Sequence, residues 1–338
     1  MSFIPQEIPT GAVRFNTDSN KMEVYIGSTW MEVSVSSPDL DGGDRGIFAT
    51  GVNGGNVIDF VTISSTGNAT DFGDNYDVDY ESASASSRTR GVTMGGRDPS
   101  PDSRVNICAF VTISSTGNAQ DFGDLTVARS HAAGVSNQTR GVAAGGYQAP
   151  NDAMSEVIDF ITIASTGNAV DFGDLITGTA FMGTGRNNPT RGVFVAGITP
   201  SATNTMSFVT IASTGNATDF GDSFVDDYGQ GGGNASNAVR SILAGANSSG
   251  APLNSISFFS VNTLGNAQDF GDLSYNIRGA GAVASRTRAV FGGGRTPNDS
   301  NIISYVEIAT QGDSVDFGDL TVARSFNNAG LSNGHGGL

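Results

Sequence analysis

The feature that most constrains this chain is the tetrapeptide Asp-Phe-Gly-Asp, which occurs six times in 338 residues. Successive copies are separated by 50, 50, 48, 50 and 47 residues. A fixed period of about 50 residues is typical of folds in which each repeat is one supersecondary unit. The copies begin at Asp71, Asp121, Asp171, Asp219, Asp269 and Asp316.

The unit from Leu125 to Asp174 contains four predicted strands, named A to D, and has no sustained helical period. Each strand is short and is bounded by Gly, Asn or Ser. Four short strands in about 50 residues are typical of one blade of a β-propeller. The predicted strands are A, Ser130–Asn137; B, Arg140–Ala144; C, Val157–Ala164; and D, Ala169–Phe172.

Residue size and the chain ends predict how these units assemble. Strands A and B consist mainly of small residues, which fit around a crowded axis, whereas strands C and D carry the phenylalanines. The tail after Asp319 resembles the strand A region Leu125–Asn137, and the first unit lacks such a strand before Arg45. We therefore predict an all-β, six-bladed propeller of four-stranded blades in residues 44–338, whose C-terminal strand closes the first blade.

These motifs carry a resemblance to known repeats. Ala-Arg before strand A, Gly-Gly after strand B and an aromatic residue in strand D resemble kelch repeats over Asp44–Leu338, with Phe where kelch repeats usually have Trp. The near-identical blocks Ser-Thr-Gly-Asn-Ala and Asp-Phe-Gly-Asp-Leu-Thr-Val-Ala-Arg also resemble repeats in virion proteins of tailed marine bacteriophages. The resemblance implies a structural protein of a phage particle.

Residues 1–33 lie outside the repeat, and residues 34–43 form a polar linker. The alternating pattern of residues 1–33 predicts a hairpin followed by a third strand, a sheet too small to be stable alone. It either packs on its own propeller or mediates attachment and oligomerisation. The segment is similar to hairpins near the ends of phage tail and fibre proteins, which implies attachment. The candidate attachment residues are Phe15, Tyr25 and Trp30.

Charge and cysteine content restrict the partners. The net charge of −16 disfavours binding to a phosphate backbone, so no nucleic acid is expected. Cys108 is the only cysteine and excludes an intrachain disulfide. The chain shows no secretory signal and no apolar run of the ~20 residues that a membrane helix needs, so no membrane insertion is expected. These features fit a virion protein made in the host cytoplasm.

Candidate chemistry is sparse. The tetrapeptide is interpreted as structural, with Phe between blades and the carboxylates accepting hydrogen bonds at a turn; a repeated calcium site is the alternative. The repeated arginine either binds an anion at the axis or, the favoured interpretation, binds a neighbouring carboxylate. His131 and His335 lack metal-ligand spacing, so no metal, cofactor or catalytic group is expected. The repeat arginines are Arg45, Arg90, Arg140, Arg191, Arg240 and Arg288.

The connections between strands predict a binding face. Because the strands alternate in direction, the B–C and D–A connections share one face, and these differ widely between units. Variable loops on a rigid scaffold favour recognition, although drift in unconstrained loops gives the same pattern. Several tyrosines, a residue favoured at interfaces, lie there. The candidates are Tyr76, Tyr80, Asp98, Tyr147, Asn151, Tyr228, Arg295 and Asn298.

The lack of a catalytic group predicts a non-enzymatic protein, and the resemblance to phage repeats implies a virion protein of a tail, fibre or other appendage. It is expected to form a homo-oligomer and to bind other virion proteins or a host-surface protein or glycan. A lectin-like, carbohydrate-binding propeller is the first alternative. A glycan-processing enzyme is the second, and it is disfavoured because no acid–base pair accompanies the repeats.

Overall fold

A computed structural model describes residues 8–17, 21–32, 43–49, 51–53, 55–77, 80–99, 103–181, 183–227, 235–248, 250–325 and 329–335. The chain divides into two compact units, Met1–Gly42 and Gly43–Leu338. Strands are numbered along the chain. The first unit contains an antiparallel sheet of three consecutive strands, β1 (Val13–Asn16), β2 (Lys21–Ile26) and β3 (Thr29–Glu32).

The described part of the second unit contains six antiparallel sheets, named sheets 1 to 6, each with four strands in the order A to D. Sheets 1 to 5 are four-stranded, and in sheet 6 the short strand β28 (Arg295–Thr296) adds a fifth. Sheet 1 is β31 (Gly330–Ser332), β4 (Arg45–Phe48), β5 (Val57–Thr62) and β6 (Thr70–Asp74). Sheet 2 is β7 (Ala83–Ser86), β8 (Arg90–Asp98), β9 (Ser103–Thr112) and β10 (Gln120–Asp124). Sheet 3 is β12 (Ala133–Ser136), β13 (Arg140–Ala144), β16 (Val157–Thr162) and β17 (Val170–Asp174).

The remaining three sheets repeat this order. Sheet 4 is β18 (Gly183–Asn187), β19 (Arg191–Ile198), β20 (Ala202–Thr210) and β21 (Thr218–Asp227). Sheet 5 is β22 (Ala235–Ser236), β23 (Arg240–Ser248), β24 (Ala251–Ser260) and β25 (Gln268–Ile277). Sheet 6 is β26 (Gly281–Ala284), β27 (Arg288–Gly292), β29 (Asn298–Glu307) and β30 (Val315–Arg324). Short strands β11 (Arg129–Ser130), β14 (Tyr147–Gln148), β15 (Ala153–Met154) and β28 (Arg295–Thr296) flank them.

The C-terminal strand lies in sheet 1, as the resemblance of the tail to strand A predicts. Strand β31 pairs antiparallel with β4, and Leu331 lies opposite Ile47. The sheet therefore joins the two ends of the repeat region. This pairing also covers the edge of β4 that would otherwise be open to another chain.

The sheets contact one another in cyclic order through the turn between strands C and D. The glycine N–H of each Ser-Thr-Gly-Asn-type turn donates to the carbonyl of the tetrapeptide Phe in the preceding sheet, at 2.7–3.0 Å. Sheet 6 is linked to sheet 1 in the same way, because Gly67 N–H donates to Phe317 O. The other pairs are Gly117–Phe72, Gly167–Phe122, Gly215–Phe172, Gly265–Phe220 and Gly312–Phe270.

The tetrapeptide recurs because each of its last three residues serves this contact. Its Phe is buried against strand C of the following sheet, as Phe172 is against Val209. Its Gly has a φ near +150°, and a Cβ on Gly173 would lie 2.6 Å from the carbonyl atoms of Gly215. The N–H of the second Asp donates to the turn Asn, as Asp174 does to Asn216 at 3.1 Å.

This arrangement corrects one prediction about the tetrapeptide. The sequence predicts that the aspartate carboxylates accept hydrogen bonds at the turn, but the bond that recurs uses the backbone N–H of the second Asp. In sheet 5 the acceptor is a carboxylate oxygen, Asp313 Oδ1, in place of an Asn. A carboxylate of the tetrapeptide does accept in sheet 4, where Asn266 Nδ2 donates to Asp222 Oδ2 at 3.3 Å. The first Asp of each copy is exposed: Asp71, Asp121, Asp171, Asp219, Asp269 and Asp316.

The repeat arginines form a second set of links between sheets. Each guanidinium lies 4.5–4.6 Å above the aromatic ring of strand C in its own sheet. Its Nη1 donates to a backbone carbonyl at the end of strand C in the next sheet, at 2.9–3.3 Å. The predicted carboxylate partner is therefore wrong for this bond, although Arg288 also binds Glu307 at 2.7 Å.

Two sheets contain a fully buried ion pair. In sheet 3, Arg129 Nη2 lies 2.8 Å from Asp159 Oδ2, and both side chains are fully inaccessible. Arg324 and Asp59 form the equivalent pair in sheet 1. Burial lowers the pKa of both arginines, and the adjacent carboxylates oppose that shift. In sheet 4 the corresponding residues Thr179 and Ser207 line a cavity of about 80 Å³.

A second buried polar cluster lies at the innermost strands. His335 follows β31, and its Nδ1–H donates to Ser332 O at 2.8 Å. Its Nε2 accepts from Ser136 Oγ at 3.1 Å, so the ring bridges sheets 1 and 3. Burial lowers the pKa of His335 to about 4, because desolvation disfavours the charged ring.

Candidate binding face

Strand order gives the second unit two different faces. The turn face carries the A–B and C–D turns, and the loop face carries the B–C and D–A connections. The C–D turns are nearly uniform because their Gly and Asn contact the preceding sheet. The loops of the other face carry no repeated turn of this kind, and variation between the sheets concentrates there.

Within the described residues, five D–A connections pair with the B–C hairpin of the sheet that they enter. In sheet 3 this pairing forms a small sheet, in which β11 bonds to β14 and β14 bonds to β15. Single bridges occupy the same place in four other sheets: Val52–Ser325, Tyr80–Arg97, Ala180–Ile198 and Arg278–Arg295. The loops are thus hydrogen-bonded to one another.

The predicted binding residues occupy this face but lie in different sheets. In sheet 2, Tyr76 is 52% exposed, Tyr80 is half-buried at its bridge, and Asp98 ends β8. In sheet 6, Arg295 and Asn298 are exposed in the β28–β29 hairpin. Sheet 3 supplies Tyr147 and the exposed turn residue Asn151. Tyr228 lies outside the described residues.

Around Tyr147 the structure assembles an aromatic cluster of three residues. The ring centroid of Phe181 lies 5.2 Å from that of Tyr147 and 3.9 Å from that of His131. The His131 and Tyr147 centroids are 5.9 Å apart. All three contacts are edge-to-face, and the two that involve Tyr147 have the centroid separations of favourable aromatic pairs. Tyr147 and Phe181 are only half-buried, so part of the cluster faces solvent.

An ion pair borders the aromatic cluster. Arg104 lies 5.6 Å from the ring centroid of Tyr147, and its Nη1 is 2.6 Å from Asp152 Oδ1. The Arg104 side chain is mostly covered, whereas Asp152 is largely exposed. Burial raises the pKa of Tyr147, whose hydroxyl is protonated at neutral pH. A half-buried phenol next to a charged pair can stack on a ligand and hydrogen-bond to it.

The histidine of the cluster also contacts a buried carboxylate. His131 Nδ1 is 2.8 Å from Glu81 Oε2, and both side chains are less than a tenth exposed. His131 Nε2 is buried and has no hydrogen-bond partner among the described residues. Glu81, His131 and Phe181 occupy equivalent positions just before strand A, and all three have φ between +53° and +63°. Left-handed backbone in bulky residues is uncommon and clusters at functional sites.

Sequence reasoning missed most of this cluster. It assigned His131 to an inner strand and gave no role to Phe181 or Arg104. One position could have indicated the cluster. The residue just before strand A is Gly279 in sheet 6, whereas the equivalent residues in sheets 2 to 4 are bulky. A glycine there indicates a left-handed backbone, which a histidine or phenylalanine adopts only at a cost.

Other chemistry is limited within the residues that the structure describes. They contain no group of three or more His, Cys, Asp or Glu residues placed to hold a metal ion. Cys108 is buried, and desolvation raises its pKa to about 12, so its thiol stays protonated. In the same described ranges, no helix has the length and apolar character needed to cross a membrane.

The first unit separates the predicted attachment residues onto opposite faces of its sheet. Phe15 lies opposite Met22 on one face. Tyr25 and Trp30 lie on the other, with ring centroids 5.3 Å apart, and Arg14 stacks 4.2 Å above the Trp30 ring. The three predicted residues therefore do not form one surface.

The chain matches no protein-family model, and no curated protein matches it in sequence. Functional assignment therefore depends on the geometry described above and on the sequence motifs.

Proposed function

We propose that residues 44–338 form a six-bladed, kelch-like β-propeller that works by binding rather than by catalysis. Three observations support the ring. Each sheet contains the four antiparallel strands of a blade, with the short strand β28 added in sheet 6. The hydrogen bonds from turn glycines run from sheet to sheet and return from sheet 6 to sheet 1. Strand β31 brings the C-terminal segment into the first sheet, as a propeller closure requires.

The binding role rests on the difference between the two faces. The turn face is uniform because it holds neighbouring sheets together. The loop face varies and presents the half-exposed Tyr147–Phe181 cluster on a hydrogen-bonded support. Aromatic anchors on a rigid support lose little conformational entropy when they bind.

We assign this binding module to the virion of a tailed bacteriophage, as part of a tail, fibre or other appendage. Support comes from the resemblance of the repeats and of the N-terminal hairpin to phage virion proteins. In this proposal residues 1–33 attach or oligomerise the protein, and the propeller contacts another virion protein or a host-surface ligand. The chain is made in the host cytoplasm and ends in the particle.

A lectin-like role is the second candidate, and the border of the aromatic cluster favours it. Sugars present apolar C–H faces and hydroxyl groups. The Tyr147 ring can stack on such a face, while Arg104 and Asp152 lie close enough to bind hydroxyls. A host-surface glycan would therefore be bound at the same place in both proposals.

The test compares variants on the two faces. Full-length protein is applied to a glycan array and to host cells, with and without calcium. Tyr147→Ala is expected to weaken binding roughly tenfold, as for an aromatic anchor. Thr166→Ala, in an exposed turn of the opposite face, is the matched control and should bind normally. Equal binding by both variants would refute the role of the loop face.

The virion assignment has its own test. Purified particles of a phage that encodes this chain are analysed by mass spectrometry and labelled with an antibody against it. The proposal predicts the protein in the particle at an appendage. Its presence only in the soluble fraction of infected cells would refute the assignment and leave the binding role intact.

A further inference from the structure

The two faces of the sheet in the first unit differ. The side chains of one face have partners within the sheet, whereas the other face exposes apolar side chains. On the first face, Arg14 pairs with Glu23 and Lys21 with Glu32, both at 2.7 Å. Asn16, Tyr25 and Trp30 fill the remainder of that face, and Asn16 donates to Glu23 at 2.9 Å. Its charges and aromatic rings therefore have partners within the same three strands.

The opposite face is wholly apolar apart from Thr29 at its edge. Strand register places Val13, Val24 and Met31 side by side across β1, β2 and β3. Five of the six apolar residues are 46–59% exposed. The apolar residues are Val13, Phe15, Met22, Val24, Ile26 and Met31.

Such a face requires an occupant. A three-stranded sheet of this length buries too little surface to be stable alone, and most of the apolar side chains on this face are exposed to solvent. Contiguous apolar patches of this kind on soluble proteins mark interaction sites.

We propose that the occupant is the same face of a second copy of this chain. The inference rests on the attachment role proposed for residues 1–33 and names its partner. The apolar face has no charge and no hydrogen-bonding group at its centre, so it is complementary to itself. The charges of β1 to β3 balance, two basic against two acidic, within a chain of net charge −16. Copies therefore approach here without the repulsion expected elsewhere on the surface.

The apolar area that two copies would bury is close to the minimum for a specific interface. A large apolar side chain that is half exposed leaves roughly 90 Å² accessible, so five leave about 450 Å² in each copy. Two such faces bury about 900 Å² in total, close to the ~1,000 Å² at which specific interfaces begin. The self-association is therefore expected in the micromolar range.

The experiment uses sedimentation velocity of the full chain across the micromolar range. Wild-type protein is expected to associate with increasing concentration. Val13→Asp places a carboxylate in the interface and should raise the dissociation constant roughly tenfold or more. Phe15→Asp should act in the same way.

The matched control is Val170→Asp in strand D of sheet 3. Val170 is 57% exposed, close to the 59% of Val13, and four of the other five sheets carry Thr or Gln at its position. It should associate like wild type. Three results would each overturn the proposal. The wild-type protein could be monomeric at every concentration, Val13→Asp could associate as wild type does, or Val170→Asp could lose association to the same extent as Val13→Asp. The first result is also expected if the face packs on the chain's own second unit.

A further measurement separates this inference from the proposed function. Ligand binding by the loop face is assayed on Val13→Asp and on Tyr147→Ala. Loss of binding by Tyr147→Ala in a protein that never associates refutes the self-association and leaves the binding role intact. Association that depends on Val13 in a protein that binds no ligand supports the self-association and refutes the binding role.

Discussion

Replacement of a single glycine by alanine tests the contact that joins the sheets. In Gly173→Ala the new Cβ would lie 2.6 Å from the carbonyl atoms of Gly215, at a φ of +148°. Gly167→Ala is the matched control, because its φ is +154° and nothing lies within 4 Å of its Cβ. Both variants carry a backbone strain of about 1–3 kcal/mol, since alanine rarely adopts such a φ.

Only Gly173→Ala adds a steric cost. The turn that holds Gly215 must move, which also strains the bond from Gly215 N–H to Phe172 O, 2.8 Å long. Overpacking of this kind costs about 1–3 kcal/mol, so Gly173→Ala should be less stable than Gly167→Ala by that amount. Equilibrium unfolding in urea measures the difference in the free energy of unfolding. Equal free energies would refute the close approach of the sheets.

Three further predictions concern the polar links. Arg191→Ala removes a 3.0 Å bond to Val261 O and should cost about 1–3 kcal/mol in urea unfolding, more than Arg191→Lys. Asp159→Ala leaves the buried Arg129 unpaired and should cost about 3–5 kcal/mol. The double variant Arg129→Thr with Asp159→Ser, which copies sheet 4, should cost less than that single variant. The neutral His335 ring stabilises the fold fully above pH 6.5, and about 3 kcal/mol should be lost as the pH falls to 4. In His335→Gln this pH dependence should be reduced, as thermal unfolding between those pH values measures.

Much of the fold is predictable because the residues that make the contacts between sheets recur in every unit. The Gly of the tetrapeptide, the Phe and a turn Asn or Asp each have a structural role in every sheet, so their spacing gives the strands and the unit length. The tail strand was identifiable for the same reason, since it repeats a pattern that the first unit lacks.

The partners of polar groups were less predictable. Arginine and aspartate each recur in every unit, which favours pairing them, but the arginine reaches a backbone carbonyl that every sequence supplies. The buried pair of Arg129 and Asp159 is visible only once the D–A connection is known to lie over strand C of the next sheet. Hydrogen-bond acceptors on the backbone leave no trace in the sequence.

The aromatic cluster depends on contacts between residues distant in the chain. Tyr147 was predicted from its residue type, whereas His131 and Phe181 reach it through adjacent connections of different sheets. A single sequence gives the positions of such loops along the chain but not the distances between them.

An experimental density map of the full chain tests the central claim most directly. The proposed propeller predicts six sheets around one axis, with Leu331 opposite Ile47 and His335 between sheets 1 and 3. A map that contains five or seven sheets, or a strand β31 that lies apart from β4, would contradict it.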